Sequence, residues 1–210
     1  MICLIQARVG SRRLPNKIFK KIRGKTLMDM VLNQTKKSKE IKKIVVVTSI
    51  NKVDDKISEF CKKRRLNCVR GSLHNVASRF LKAADKFKSK AFVRISADSP
   101  IINSKIIDSV IKNFKKRKID ISTNVFPRSF PRGQSVEVIK SKILRENISV
   151  FSKKQQEHVT TFFYDNYKRF KIFNLKSKKN ISKLRLCVDT KRDLVFLNNN
   201  LERLLLKKFI

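Results

Sequence analysis

The sequence predicts an α/β layered fold with a mainly parallel sheet flanked by helices. Three observations carry that expectation. The continuous apolar runs Ile2 to Ile5, Ile44 to Val47 and Ala91 to Ile95 have the composition of strands buried on both faces. Stretches between them repeat apolar residues at helical spacing. Strands then alternate with helices along the chain, which is the order that crossover connections impose on a parallel sheet. With 210 residues, 41% of them hydrophobic, the chain is long enough for one domain over residues 1–210 with a sizeable core. No internal repeat or Gly/Ser-rich linker divides it.

Taken in order, the first strand, Ile2 to Ile5, runs into QARVGSRRLPNK, residues 6–17. Arg8, Arg12, Arg13 and Lys17 gather there around the small-residue bend Gly10-Ser11, and Pro15 stops an early helix. Glycine and serine let backbone N–H groups approach phosphate oxygens, while guanidinium forks and a mobile ammonium bind them. The segment is either a polyphosphate loop or a solvated basic turn, and it is not the GxxxxGK[ST] pattern. Thr26 with Asp29 opens a helix carrying Leu27, Met30 and Val31 on one face, ending near Lys39. After the strand at Ile44 to Val47, helical spacing covers Asp54 to Arg65, and Cys68-Val69 forms the next strand. Asn75 can cap a helix through Val76, Phe80, Ala83 and Phe87.

The strand Ala91 to Ile95 ends at Ser96 to Pro100, where the proline turns the chain out of the sheet. Ile106 to Phe114 reads as helix and Ile119 to Ser122 as extended. Val125 to Gly133, with Pro127 and Pro131, reads as a loop and Val136 to Ile139 as a strand. Helical patterns cover Ile143 to Val150 and Gln155 to Asn166. Strands are expected at Phe170 to Leu175 and Leu184 to Val188, and an amphipathic helix at Leu194 to Leu206 closes the chain. In such folds ligands lie beyond the carboxyl ends of the strands. The loop from Arg8 to Lys17, the turn from Arg70 to Asn75, Asp98 and Asp189 all follow predicted strands, so one cleft can collect them.

A formal net charge of +36 invites a nucleic-acid or anionic-membrane reading. The lysines are spread, from Lys20-Lys21 and Lys36-Lys37 to Lys115-Lys116 and Lys207-Lys208, without one dense block or interleaved aromatics. A compositional bias toward Lys, Ile and Asn accounts for them, and no dedicated nucleic-acid partner is expected. No apolar run approaches the ~18 residues that span a bilayer, and Ile2 to Ile5 is too short for a signal peptide, so a cytoplasmic protein without a membrane partner is expected. Cys3, Cys61, Cys68 and Cys187 are scattered without a CxxC pair and are read as reduced.

Asp98 in RISADSP and Asp189 in LCVDT each follow a strand-like run. Singly, each suits a cap or turn. Together, beside a polyphosphate loop, they match the one or two protein oxygens that Mg²⁺ takes, with water and phosphate completing its shell. His74 reads as a surface or hydrogen-bonded structural residue, His158 in QEHVT as structural or site, and Glu137 in SVEVI as a solvent-facing or cleft-facing strand residue. Two distant histidines without a Ser or Cys motif make no triad.

QARVGSRRLPNK resembles the opening motif of the cytidylyltransferases that activate sugars, especially relatives of spore coat polysaccharide biosynthesis protein F. More distantly it is similar to the CMP-Kdo and CMP-sialic acid synthetases. VRGSLHNVASRF, VRISADSPII, FPRGQSVEVI, QEHVT and LCVDTKRDL continue the resemblance in the same order over essentially the whole chain. It implies a Rossmann-like nucleotide-diphosphosugar transferase fold and a homodimer. The implied partners are CTP and a small-molecule sugar acceptor, and the implied cofactor is Mg²⁺. Carried over residue by residue, Arg8, Ser11, Arg13 and Lys17 hold the CTP phosphates within a loop that includes Ala7, Gly10 and Arg12. Asp98 and Asp189 hold the metal. Arg8, Arg13, Lys17 and Asp98 form the catalytic group. Arg70, Gly71, Ser72, Asn75 and Arg79 approach the cytidine, and Arg132, Glu137, Glu157 and His158 lie on the sugar side. The chain departs from the pattern at Asn75, where Asp is usual, and at Gln134-Ser135, where an Asp-containing segment is typical. Gln156 takes the place of a basic residue, and Lys191 that of a frequent Pro. A basic nucleic-acid-binding protein and a glycosyltransferase of related fold are the rival readings.

Overall fold

Alternation within the first strand sets the architecture. In β1 (Ile2–Gln6), Cys3 and Ile5 point into one core while Ile2 and Leu4 point into another, which is why the run is apolar without interruption. The structure, a computed structural model, describes residues 1–206; Lys207-Lys208 lie outside them. After a hairpin of two short strands, β2 (Lys21–Ile22) and β3 (Lys25–Thr26), α1 (Leu27–Lys36) starts on Thr26, whose hydroxyl accepts the Asp29 N–H at 3.1 Å. There follow β4 (Lys43–Ser49), α2 (Asp55–Lys63), β5 (Asn67–Gly71), α3 (Val76–Lys86), β6 (Ala91–Ser96) and α4 (Ser104–Lys116). The second half contains β7 (Ile121–Thr123), β8 (Glu137–Lys140), α5 (Ser141–Asn147), α6 (Lys153–Glu157), α7 (Thr161–Asp165), β9 (Ile172–Asn174) and α8 (Lys191–Leu205).

The main sheet has the order β5-β4-β1-β6-β8-β7-β9. β5, β4, β1 and β6 are mutually parallel, and β8 runs antiparallel to both of its neighbours. The α/β, mainly parallel expectation therefore holds, with one reversed strand that the spacing of apolar residues did not signal. One face is covered by α1, α4 and α8, with Val31, Ile107, Val110 and Leu197 in its core. The other is covered by α3 and the segment from α5 to α7, where Phe80, Phe92, Phe151, Phe162 and Phe163 pack. Each such side chain contributes roughly 1.5–3 kcal/mol by leaving water.

Two expectations are corrected and one element is new. Leu184 to Val188 is not a sheet strand; it is an extended segment joined to the loop before β8 by a single bridge, Arg132 with Arg185. Its Leu186 and Val188 are buried by packing on the α8 face of the core, which produces a strand-like apolar alternation without a ladder. Gln155 to Asn166 is not one helix: α6 and α7 are separated where His158 takes a non-helical conformation. That break buries Val159 and Thr160, which a continuous helix would carry past the core. The β2–β3 hairpin was unforeseen; its tight turn places Gly24 at φ +76 and Arg23 at φ +46.

Candidate active site

β1, β4, β5 and β6 all end at one edge of the sheet, and the segments that follow them meet there. After β1 the Ala7 N–H still bonds Val47 O at 3.0 Å, and the chain then folds back on itself. The Val9 carbonyl accepts the N–H groups of Ser11, at 2.8 Å, and Asn16, at 3.2 Å. Asn16 adopts the left-handed conformation, φ +57, which turns the chain into a 3-10 turn, Lys17–Phe19, and aims Lys17 inward. The loop's anchor is a residue the sequence did not single out. Asp54 is fully buried, accepts the Val9 N–H at 2.7 Å and takes the Ser49 hydroxyl. Its only sequence signal, a place at the start of the helical spacing from Asp54 to Arg65, has a purely local explanation.

Arg8, Gly10, Arg12 and Arg13 are exposed along this loop, and a Cβ at Gly10 would meet open space. Lys17 is only 8% exposed. Its Nζ donates to Asp98 Oδ2 at 2.7 Å and to Asp189 Oδ1 at 2.8 Å, so the two acids, 91 positions apart in the chain, converge on one ammonium. Arg13 Nη2 lies 3.2 Å from Asp189 Oδ2, and Arg185 donates to the same oxygen. Burial opposes the charge on Lys17, but Asp98 and Asp189 outweigh it and its pKa is raised. Burial likewise works against the Asp189 carboxylate, while the Lys17 hydrogen bond and the charges of Lys17, Arg13 and Arg185 hold its pKa below the ordinary value.

Asp189 is free for this role because it is not the helix cap that its sequence position suggested. Thr190 caps α8 and Asp193 completes a capping box, accepting the Asp189 N–H at 2.9 Å and the Thr190 N–H at 2.8 Å. The T-x-x-D spacing was visible in the sequence. Although no ladder carries Asp189 to the sheet edge, Val188 N–H bonds Asp98 O at 2.9 Å and Leu186 N–H bonds Arg132 O at 2.7 Å. Gly133, at φ +97, sits so close to this segment that a Cβ would lie 2.4 Å from the Leu186 carbonyl carbon.

The residues expected on the cytidine side are mostly occupied within the protein. Arg70 donates from Nε to Ser49 O at 2.9 Å and pairs with Asp55 at 2.5 Å. Ser72 accepts the Asn75 N–H at 3.0 Å, and Asn75 caps α3 by accepting the Ser78 N–H at 2.8 Å. Arg79 is 1% exposed and packs so tightly beneath Gly71 that a Cβ there would stand 2.7 Å from its Cγ. Its Nε and Nη1 have no partner among the described residues, and burial lowers its pKa to about 10.

On the far side of β6 the expected sugar-side residues divide. Glu137, at the start of β8, is buried beneath Arg94 and accepts the Tyr164 hydroxyl at 2.7 Å. Arg94 also donates to Gln6 Oε1 at 3.1 Å, tying this network to the end of β1, and Phe126 stacks on Tyr164 with ring centroids 4.6 Å apart. Glu137 therefore does not point to solvent, and its direct partners are protein groups. Burial disfavours its charge, but Arg94 and the Tyr164 and Thr160 hydroxyls more than compensate and hold its pKa down. Glu157, by contrast, reaches the loop, 3.3 Å from Arg8 Nη1; His158 and Arg132 are exposed. The departures at Gln134 and Ser135 have structural employment. Gln134 bonds the Asn103 N–H and the Ile101 carbonyl, each at 2.8 Å, and Ser135 accepts from Arg128 at 3.1 Å.

Asp98 and Asp189 are the pair that could hold a divalent cation. Among the described residues no group of three or more His, Cys, Asp or Glu side chains forms a metal site by itself, so such an ion would need oxygens from a ligand as well. The arrangement suits a polyanion bound by the loop with a hard cation against two carboxylates.

The profile of the family described as Cytidylyltransferase matches residues 2–195. The chain belongs to the cytidylyltransferase family. It is 26% identical to the spore coat polysaccharide biosynthesis protein SpsF of Bacillus subtilis, covering 92% of this chain and 82% of that protein. It is 28% identical to 3-deoxy-manno-octulosonate cytidylyltransferase 2 of Hydrogenovibrio crunogenus over 80% of this chain and 71% of the relative. The solved structure of a cytidylyltransferase from Leptospira borgpetersenii superposes with a TM-score of 0.91 at 33% identity, covering 96% of this chain and 87% of that one. The Rossmann-like nucleotidyltransferase fold expected from the sequence is the fold of this cytidylyltransferase.

Proposed function

We propose that this cytidylyltransferase transfers CMP from CTP to a hydroxyl of a sugar, releasing pyrophosphate, to supply a CMP-sugar for surface polysaccharide. The observation that carries the reading is the meeting of Lys17, Asp98 and Asp189 directly below a loop bearing Arg8, Arg12 and Arg13. The family match supports CTP as donor, and the names of the SpsF and 3-deoxy-manno-octulosonate relatives support a sugar as acceptor.

In this reading the exposed guanidiniums of Arg8, Arg12 and Arg13 and the Ser11 hydroxyl hold the triphosphate, with Gly10 leaving room for it. Lys17 and Arg13 neutralise charge that develops on the departing pyrophosphate. Asp98 and Asp189 would hold Mg²⁺, which when bound polarises the phosphoryl oxygens and organises the displacement. The residues position and neutralise, and no protein nucleophile is needed. Gly71, Ser72 and Arg79 border the nucleoside, while Arg70 and Asn75 shape its wall through their internal bonds. Glu157, His158, Arg132 and Arg128 face the acceptor, and Glu137 acts behind them by fixing Arg94 and Tyr164. A cytoplasmic homodimer completes the reading.

The test is pyrophosphate release by the purified protein with CTP, Mg²⁺ and a panel of sugars. CTP-specific release that depends on both sugar and metal supports the assignment. Absence of turnover with every sugar, or equal use of all four nucleoside triphosphates, overturns it. Light scattering checks the dimer.

A further inference from the structure

Each oxygen of Asp98 and Asp189 is already engaged by a protein donor. Asp98 Oδ2 and Asp189 Oδ1 share the Lys17 ammonium at 2.7 and 2.8 Å. Asp98 Oδ1 takes the Ser99 hydroxyl at 3.3 Å, and Asp189 Oδ2 takes Arg185 together with Arg13 at 3.2 Å. Three cations therefore face two carboxylates, and the central one is the buried Lys17. An ammonium seated between two carboxylates occupies the pair of groups that would hold a divalent cation. A cation arriving alone meets carboxylates already neutralised by Lys17, Arg13 and Arg185 and must expel a held ion.

We infer that Lys17 is a place-holder for the divalent cation, so that the metal enters this site together with the nucleotide rather than before it. The inference rests on the assignment of the two acids as metal carboxylates and extends it to the sequence of binding events. Lys17 lies at the end of the phosphate loop, on a flexible four-carbon stem that carries a point charge. Triphosphate oxygens bound along Arg8, Arg12 and Arg13 offer that ammonium a new anionic partner. Once it turns to them, the acids it vacates are free for the metal. Arg185 stays with Asp193, to which it donates from Nε at 3.0 Å, and keeps Asp189 oriented during the exchange. Nucleotide and metal then bind with positive coupling, since each removes a cost the other would bear alone. The same coupling keeps the free protein from holding a metal ion without substrate.

The experiment measures Mn²⁺ binding by electron paramagnetic resonance on the full chain, with and without α,β-methylene CTP, which cannot be cleaved at the reacting bond. The wild-type protein is expected to bind Mn²⁺ at least tenfold more tightly with the analogue than without it. Lys17→Met is expected to bind Mn²⁺ at least tenfold more tightly than wild type in the absence of nucleotide, and to show a smaller gain when the analogue is added. Adding Asp189→Asn to Lys17→Met should abolish the gain. Equal Mn²⁺ affinity of wild type with and without the analogue overturns the inference, as does a Lys17→Met protein that binds no more tightly than wild type. If Lys17→Met does not fold, Lys17→Gln, which keeps a polar side chain and removes the charge, takes its place in the same comparison. The pyrophosphate assay reads the function separately: turnover without this Mn²⁺ pattern sinks the place-holder and leaves the activity standing.

Discussion

Two acidic clusters sit at the same edge of the sheet and are built in opposite ways. The carboxylates of Asp98 and Asp189 are 23% and 20% exposed, lie on loops, and are neutralised by Lys17, Arg13 and Arg185, each on a long flexible stem. Glu137 is 4% exposed, stands on a strand, and is paired with Arg94 on the adjacent strand in direct register. In the place-holder reading, the first cluster exchanges partners when substrate binds. The second is part of the fold, because a carboxylate removed from water needs its countercharge permanently. An ion pair is thus functional or structural according to whether its partners can leave.

The strongest way to break this comparison is at Glu137. Glu137→Ala leaves the partly buried Arg94 without its carboxylate and should lower the unfolding free energy by about 3 kcal/mol, read in urea. Pairing it with Arg94→Met should recover much of that loss; additive losses would show that the two residues act independently. At the other cluster, Asp98→Asn or Asp189→Asn should slow pyrophosphate release about a hundredfold, or roughly 2.7 kcal/mol, with a much smaller change in stability. Unchanged turnover in both variants would remove the metal assignment.

Gly133→Ala tests the connection between the two sides. At φ +97 and against the Leu186 backbone, the new Cβ must push the segment carrying Asp189, with an expected cost of about 1–3 kcal/mol and a parallel loss of turnover. A fully stable, fully active variant would contradict that close contact.

The pH dependence sharpens the comparison. Glu137 and Asp189 have depressed pKa values, so their stabilisation is present above the unfolded carboxylate range and is lost as pH falls through the folded values, below about pH 4. Lys17 has a raised pKa, so its contribution is complete below about pH 10.4 and is lost as pH rises through its higher folded value. Stability from these groups should be flat between those limits, and Lys17→Met should remove its part of the alkaline loss. The smallest expected effect is at Glu157, whose pair with Arg8 is nearly half exposed on both sides. Glu157→Ala should change stability by less than about 1 kcal/mol, and any larger effect belongs to acceptor binding in the kinetic assay.

The β1, β4 and β6 runs were legible because a strand buried on both faces leaves an unbroken apolar signature, and the caps at Thr26 and Asn75 because their bonds are local. Glu137 was legible only as an alternation on a strand; whether the charge faced water depended on Arg94, 43 positions earlier. The segment at Leu184 to Val188 misled because burial alone produces the pattern of a strand, whereas a ladder needs a partner that the segment does not name. Asp54 was missed because the partner that makes it an anchor, the Val9 N–H, lies 45 positions earlier on the loop after β1, and only the folded sheet brings the two together.

By itself, then, the sequence determined the layered α/β class, the loop chemistry and the residue types at the site, since these follow from local periodicity and from the spacing of charges within short motifs. Only the tertiary structure decided which charges meet. It set Lys17 between Asp98 and Asp189, sealed Glu137 under Arg94, and left Arg79 buried with two nitrogens unpartnered among the described residues. The reason is that Coulombic and desolvation energies depend on distance and burial, and neither can be read along the chain.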